Sequence, residues 1–245
     1  MKKKVVILLV ILQTASLFSQ NKYISSDGIF IYDFNEDYTK YECSAYDDPE
    51  YFFSEREVIQ EEDSGIVFWT IEDVKYVLLK ADDYFILRNN DKQFTFVKDF
   101  EDYWQSSREK LGFYEATSEK KIQRTRYDAY NLLYLNFEPW ISDSEYGGIE
   151  DSITIETEKD FKKFRIINGY VNYDFPEHFQ EFNRASLLFA YDEENNFIDY
   201  FEIEDSSEIQ TFEFEEELSY VRFEIEDVYE GTVYDDTAIT LIQCF

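Results

Sequence analysis

Aromatic and polar side chains grouped beside glycines in the last third of the sequence are the residues best suited to chemistry. A sugar site needs an aromatic face that stacks on the C–H surface of a pyranose, and planar polar side chains that hydrogen-bond its hydroxyls. Residues of these types lie at the ends of strand-like runs: Trp140, Asn168, Tyr170, Asn183, Arg184, Tyr229, Tyr234, Asp236 and Thr237. Their types and grouping predict a glycan-binding site.

Side-chain chemistry suggests a role for each member of this set. We expect the rings of Trp140 and Tyr170 to stack on the sugar. Hydrogen bonds to its hydroxyls are expected from Asn168, Asn183 and Arg184.

The last loop, from Tyr229 to Thr237, adds two tyrosines, and its Asp236 and Thr237 are expected to order it. Two alternatives stay open at this point. Each aromatic ring could pack in the core, and the Asn-Gly-Tyr and Asp-Asp-Thr runs could simply form turns.

No motif for catalysis accompanies this grouping. His178 is the only histidine, which excludes a multi-histidine metal site and any histidine-based triad built elsewhere in the chain. The sequence has no G-x-S-x-G elbow and no glycine-rich phosphate loop after a strand. Among 54 acidic residues, no pair of carboxylates stands out for glycoside hydrolysis. We therefore assign no catalytic residue and predict that the chain is not an enzyme.

The charge of the chain limits its partners. A formal net charge of −31 repels phosphate backbones and anionic lipid surfaces, so nucleic acid is excluded as a partner. The acidity is typical of a solvated surface. A structural calcium ion is the alternative, since carboxylates that converge on one point can bind a divalent cation. No other cofactor or metal is predicted.

The first 20 residues have the pattern of a signal peptide. Three lysines, Lys2 to Lys4, precede an apolar run from Val5 to Leu12 and a small, polar exit from Ser16 to Gln20. The apolar run is far shorter than the ~20 residues of a membrane-spanning helix, and no later segment is apolar enough to span a bilayer. We therefore predict an exported protein without a membrane span, located in the periplasm, on the cell surface or in the medium.

Cys43 and Cys244 are the two cysteines of the chain. In an exported protein they could pair, and such a bridge would join the first domain to the last strand. Buried free thiols are the alternative, and the spacing of about 200 residues gives no support to pairing.

The chain divides into two predicted domains. Residues 21–104 contain short aliphatic and aromatic runs separated by Asn/Asp turns, which predicts a small antiparallel β domain. Residues 105–115 are assigned as a linker, with a short helix over residues 102–112. Between residues 108 and 126, six cations form a basic island, which is predicted to pair with carboxylates of the flanking domains rather than to form a separate anion site: Arg108, Lys110, Lys120, Lys121, Arg124 and Arg126.

Residues 116–245 have the pattern of a β-sandwich. In Phe201 to Glu204 and in Phe212 to Glu215, apolar residues alternate with glutamates, as in a strand with one buried and one solvated face. Strands are predicted over residues 132–137, 152–156, 164–167, 186–191, 197–203, 209–214, 220–226 and 238–242. Many short strands with turns between them favour a sandwich, so the predicted fold class is mostly β.

Residues 116–245 also resemble a known family, the glycan-binding domain of secreted bacterial NAD glycohydrolases, which is a discoidin-like, galactose-binding-type β-sandwich. Four segments carry the resemblance: Trp140 with the acidic, glycine-bearing segment Asp143 to Glu150, the run Arg165 to Tyr170, Asn183-Arg184, and Tyr229-x-Gly-Thr-x-Tyr-x-Asp-Thr-Ala-Ile. The resemblance implies a jelly-roll that binds carbohydrate without catalysis. It does not extend to the first domain, and the sequence shows no NAD glycohydrolase domain.

Three hypotheses for function follow. The first is an exported, non-catalytic protein that binds a glycan or glycoconjugate at the loop end of the sandwich. The second is a scaffold that uses the same sandwich to recognise envelope proteins. Salt-sensitive binding to a basic partner, without competition by sugars, would favour it. An enzyme in the first domain is the third, and it would require a pocket with converging carboxylates.

Overall fold

A computed structural model describes residues 21–25, 30–45, 52–81, 84–98, 112–135 and 137–245. The predicted signal peptide lies outside the described residues, as does the predicted helix over residues 102–112 apart from Gly112, which begins a strand. The described residues form two units of β-strands, so the predicted mostly-β fold class is confirmed.

The first unit is a closed antiparallel barrel. Its strands are β1 Lys22–Ser25, β2 Phe30–Phe34, β3 Lys40–Ala45, β4 Phe52–Asp63, β5 Ile66–Ile71, β6 Val74–Lys80, β7 Tyr84–Arg88 and β8 Gln93–Val97. Each strand pairs with the next along the chain, and β8 pairs with β1 to close the barrel. Closure leaves no unpaired sheet edge in the barrel.

The central strands β5, β6 and β7 are apolar on both faces. One set of alternating side chains, which includes Trp69, Leu78 and Phe85, belongs to the aromatic-rich core of the barrel. The opposite set, which includes Phe68 and Leu79, belongs to a different core cluster. A strand that is apolar on both faces must be covered on both, so the outside of the barrel needs a partner surface.

The second unit is the predicted sandwich. Its elements are β9 Gly112–Ala116, β10 Lys120–Ile122, β11 Thr125–Tyr127, a 3-10 helix Ala129–Leu133, β12 Trp140–Ile141, β13 Ser152–Asn168, α1 His178–Glu181, β14 Arg184–Tyr191, β15 Phe197–Glu202, β16 Ile209–Tyr229 and β17 Ala238–Cys244. The main sheet has the order β12-β17-β13-β16-β14-β15, with β9 paired to β13, and β10 pairs with β11 in a separate hairpin.

Two long strands connect the layers of the sandwich. Strand β13 pairs with β17 near its end and with β9 near its start. Strand β16 pairs with β13 over most of its length, from Ile209 to Glu224, and with β14 near its end. The sequence pattern predicts four shorter strands here because charged residues interrupt the alternation. In the structure, each pair of predictions is one strand, and β13 keeps its pairing with β16 through register shifts between Glu156 and Lys163.

One predicted strand is wrong. The described residues 132–135 and 137 do not form a strand, and Leu132 and Leu133 lie in the 3-10 helix, with both side chains buried. A helical turn places these neighbours in the same core against Trp140 and Tyr114, an arrangement that the apolar run alone cannot distinguish from a strand.

The two cysteines are not joined by a disulfide. Cys43 is buried in β3 of the barrel, whereas Cys244 is buried in the sandwich core. The structure therefore selects the alternative of two buried thiols over a bridge. Burial raises the pKa of the Cys43 thiol, which lowers its reactivity.

The sandwich covers the outer face of the barrel. Five barrel residues, Ile66, Phe68, Val77, Leu79 and Ile86, share a buried cluster with Phe137, Ile167, Val171, Phe179, Ile209 and Leu241. Polar contacts at the same junction include the Ser207 hydroxyl, which donates to the carbonyl of Gly65 at 2.8 Å. In the described part of the chain, no helix has the length and apolar character of a membrane span.

Candidate functional site

The predicted site residues converge at one end of the sandwich. The strand register places Trp140 and Asn168 each opposite Ile239, and Arg184 opposite Tyr229. An isolated bridge joins Asn183 to Thr237. Residues separated by up to about a hundred positions in the sequence are thereby brought together, as the loop positions predict.

Asn183 holds the last loop in place. Its side-chain amide donates to the carbonyl of Asp235 at 2.6 Å, and its amide oxygen accepts from the N–H of Gly231 at 2.7 Å. Its backbone N–H donates to the carbonyl of Asp236 at 3.0 Å. The amide is thus engaged with backbone groups at both ends of the loop.

Thr237 joins the last loop to the glycine-bearing segment after β12. Its hydroxyl donates to the carbonyl of Gly147 at 2.5 Å, and its N–H donates to the hydroxyl of Ser142 at 2.8 Å. Gly147 and Gly148 have φ of +67° and +91°, and a Cβ on Gly148 would lie 2.5 Å from the Thr237 hydroxyl oxygen. Only glycine allows the two loops to approach this closely.

Trp140 and Asn168 lie below the surface. Both are fully buried. The indole N–H of Trp140 donates to the carbonyl of Ser118 at 2.9 Å, and the Asn168 amide exchanges hydrogen bonds with the backbone of Ala185 at 2.8 and 3.1 Å. In this structure the Trp140 ring offers no exposed face for a sugar, contrary to the stacking role predicted for it.

Arg184 is also engaged internally. Its guanidinium binds both carboxylate oxygens of Asp205, at 2.5 and 3.1 Å, and donates to the carbonyls of Phe179 and Phe182 at 3.0 and 2.8 Å. Tyr229 is half-buried and donates its hydroxyl to the carbonyl of Ile203 at 3.0 Å. These donors fix loops rather than point into solvent.

An aromatic cluster forms the surface above this network. We define it as Tyr170, Phe175, His178, Phe182 and Tyr234. The ring of Tyr234 stacks on Phe182 at 4.4 Å between centroids and 25° between planes, and Phe175 stacks on His178 at 5.2 Å and 19°. Tyr170 contacts both inner rings, Phe182 at 5.3 Å and His178 at 4.8 Å.

The outer members of the aromatic cluster are accessible. Phe175 is 50% exposed and Tyr234 is 41% exposed, whereas Phe182 and Tyr170 are buried. Sequence analysis assigned Tyr234 to the site but missed Phe175 and assigned no role to His178. The signal available for them was the spacing of Phe175, His178 and Phe182, three and then four residues apart, which one helical turn brings to one side, whereas Phe179 packs in the cluster shared with the barrel.

Tyr170 is held as a neutral phenol. Burial, and then the hydrogen bond with the hydroxyl of Tyr127, raise the pKa of Tyr170 well above its ordinary value of 10.0. The Tyr127 ring lies 6.2 Å from the Tyr170 ring. This contact joins the β10–β11 hairpin to the aromatic cluster.

The family of the chain follows from its sequence over this region. A family model described as the NAD glycohydrolase translocation F5/8 type C domain matches residues 104–244, more than half of the chain. The chain belongs to this family. The resemblance found in the sequence is therefore confirmed, and the aromatic cluster lies on the F5/8 type C domain.

Similar solved structures are small sugar-binding domains by their descriptions. The domain CpGH89CBM32-5 from Clostridium perfringens, in complex with GalNAc-β-1,3-galactose, is 19% identical with a TM-score of 0.41, covering 55% of this chain and 94% of that chain. The family 32 module from C. perfringens NanJ, in complex with galactose, is 13% identical with a TM-score of 0.39, covering 54% and 92%. The comparison with curated proteins finds no match.

The β10–β11 hairpin of the F5/8 type C domain carries the described part of the basic island. Lys120 forms an ion pair with Asp236, and both side chains are largely buried. Asp236 is therefore held by the hairpin. The other cations depart from the prediction, because Lys121, Arg124 and Arg126 form no ion pair with any described residue. Arg108 and Lys110 lie outside the described residues.

A partly open recess of about 100 Å³ lies among side chains of the barrel, outside most of the matched region. Its lining residues are Tyr23, Tyr38, Gln60, Val67, Trp69, Leu78, Lys80, Phe85 and Glu208. Glu208 is the one carboxylate among them. The converging carboxylates that an enzyme in the first domain would require therefore do not meet in this recess.

The described residues also contain no group of three or more His, Cys, Asp or Glu side chains placed to hold a metal ion. The structural calcium considered from the acidic composition thus has no carboxylate cluster in this part of the chain.

Proposed function

We propose that the chain is an exported, non-catalytic carbohydrate-binding protein whose F5/8 type C domain binds a glycan at its loop end. The observation that carries the proposal is the pair of exposed rings, Tyr234 and Phe175, at the edges of the aromatic cluster. Each ring stacks on one neighbouring ring, and about half of its own surface remains exposed to solvent. Rigid, half-exposed rings suit the apolar face of a sugar.

The polar groups around Tyr234 complete such a site. Asp235 is exposed next to it, and a carboxylate accepts hydrogen bonds from adjacent sugar hydroxyls. The loop that carries both residues is fixed by Asn183, so little conformational freedom is lost when a ligand binds.

In this proposal the predicted site residues divide into two groups. Tyr234 contacts the sugar, and Tyr170 supports the inner rings of the aromatic cluster. The remaining members hold the loops in position: Trp140, Asn168, Asn183, Arg184, Tyr229, Asp236 and Thr237.

The test is a glycan array probed with the full chain and with Tyr234→Ala, with and without calcium. We expect the wild type to bind a defined set of glycans, and Tyr234→Ala to lose at least about tenfold in affinity, as for a stacked aromatic contact worth ~1.5 kcal/mol. Tyr200→Ala is the matched control, because Tyr200 is a 55% exposed tyrosine on β15.

A blank array from folded protein would contradict the proposal. The sandwich would then have to be tested as a protein-binding scaffold, by capture of envelope proteins. Equal losses in Tyr234→Ala and Tyr200→Ala would contradict the location of the site, because the effect would not depend on the aromatic cluster.

A further inference from the structure

The β10–β11 hairpin concentrates positive charge in a strongly acidic chain. Its seven residues from Lys120 to Arg126 contain four cations and no acid, whereas the whole chain has 23 cations against 54 acids. One of the four, Lys120, is neutralised by Asp236. The other three are exposed at or beside the turn of the hairpin: Lys121, Arg124 and Arg126.

The register of the hairpin opposes two of these cations directly. Lys121 pairs with Arg126, while Lys120 pairs with Tyr127. Successive side chains of a strand point to opposite faces, so Lys121 and Arg126 share the face away from Lys120 and Tyr127. Like charges directly opposite each other destabilise a hairpin, and an anion held between them would remove that cost.

Nearby acids do not serve as that anion. Glu119 uses its carboxylate to accept the backbone N–H of Ala129 at 3.1 Å. No described carboxylate forms an ion pair with Lys121, Arg124 or Arg126, although the protein has an excess of carboxylates elsewhere. The three cations are therefore available to an external ligand.

The inner face of the hairpin is attached to the proposed glycan site. Lys120 holds Asp236 of the last loop, two residues from Tyr234, and the Tyr127 ring contacts Tyr170 of the aromatic cluster. Lys121 and Arg126 are the chain neighbours of these two hairpin residues but lie on the opposite face of the hairpin. A chain of sugars that stacks on Tyr234 would therefore reach them by extending around the edge of the hairpin.

We propose that the hairpin selects acidic glycans, whose carboxylate or sulfate groups bind Lys121 and Arg126 while a sugar ring occupies the aromatic cluster. This inference rests on the proposed function. Guanidinium and ammonium groups recognise such anions by charge-assisted hydrogen bonds. These contacts act over a few ångströms, where they can hold an anion even though the net charge of −31 repels anions from the rest of the surface.

The experiment uses the full chain and an array on which neutral oligosaccharides stand beside counterparts that differ by a carboxylate, and beside others that differ by a sulfate. The measured quantity is the ratio of affinities for the acidic and the neutral member of each pair. We expect a ratio above one for wild type. In the double variant Lys121→Gln/Arg126→Gln this ratio should fall about tenfold, the effect expected from the loss of two exposed charge contacts.

The matched control removes the same charge elsewhere. Lys22→Gln/Lys92→Gln neutralises two exposed lysines of the barrel, and its ratio should equal that of wild type. The carboxylate and sulfate pairs, read separately, identify which anion is preferred.

The outcomes distinguish a failure of this inference from a failure of the proposed glycan binding on which it rests. Neutral glycans that bind as well as acidic ones, or equal ratios in the double variant and wild type, would overturn the selection of acidic glycans while leaving the site at Tyr234 intact. Failure of the wild type to bind either class would overturn both. A fall in the ratio confined to the hairpin variant would support the inference.

Discussion

At the scale of single residues, the sequence predicted sugar contacts for side chains that make internal hydrogen bonds in the structure. Asn168 and Asn183 were expected to bind sugar hydroxyls, but their amides bind backbone groups, whereas Thr237, expected to order the last loop, joins it to the carbonyl of Gly147. The reason is general: buried loop backbone must find hydrogen-bond partners, and Asn and Thr side chains provide them. Exposure is set by packing between distant segments, which the residue type does not reveal. The exposed ring of Phe175 was missed for the same reason.

Asn183→Ala should destabilise the fold. The change removes the acceptor of the Gly231 N–H and the donor to the Asp235 carbonyl, and unsatisfied groups of this kind cost about 2–4 kcal/mol together. Urea unfolding of the full chain measures the effect. Asn90→Ala is the control: it removes one exposed hydrogen bond, from the Asn90 amide to Asp174 at 2.9 Å, and leaves no buried group unsatisfied, so it should cost less than about 1 kcal/mol. Similar values for the two variants would show that the Asn183 amide does not hold the loop.

Tyr170 should make the protein sensitive to alkali. Its folded pKa lies above the ordinary value of 10.0, so above pH 10 the unfolded chain releases a proton that the folded chain keeps. The stability contributed by this group is complete below pH 10 and falls as the pH rises further. Tyr170→Phe retains the ring without the phenol, and its unfolding free energy should decline less steeply above pH 10. The same slope in both proteins would exclude this role.

At the scale of elements, alternation predicted most strands and the turns between them, but not how strands combine. Charged residues between residues 156 and 163 were interpreted as a break, whereas β13 passes through them with register shifts. The residues 120–127 were assigned to the start of the sandwich with charges that pair to flanking domains, but they form a separate hairpin in which only Lys120 finds a carboxylate among the described residues. The carboxylates that could pair with the cations of a short hairpin lie in other segments of the chain, so the composition of the hairpin does not identify them.

At the scale of the whole molecule, the two predicted domains are described as a barrel and a sandwich with a shared apolar cluster. The segments Ile66 to Ile71 and Val74 to Lys80 are nearly continuous apolar runs, as expected of strands covered on both faces, but this conclusion was not drawn from the sequence. The closure of the barrel and the identity of the covering surface required the structure, because both depend on contacts far apart in sequence.

The shared cluster should make the barrel and the sandwich unfold together. Leu79→Ala removes a fully buried side chain from this interface and should cost about 2–5 kcal/mol, with the melting of both units lowered together in a single calorimetric transition. Val74→Ala, at a 39% exposed position of the same strand, is the control. Two separate transitions in the wild type would contradict coupled unfolding.

Phe179 gives the junction a mechanical consequence. Its ring is held between Gly65 of the barrel and Gly169 of the sandwich, where an added Cβ would lie 2.9 and 2.8 Å from ring carbons. The same short helix carries His178 of the aromatic cluster. A force applied at the aromatic cluster would therefore pass to the barrel directly through the Phe179 ring, which touches both units.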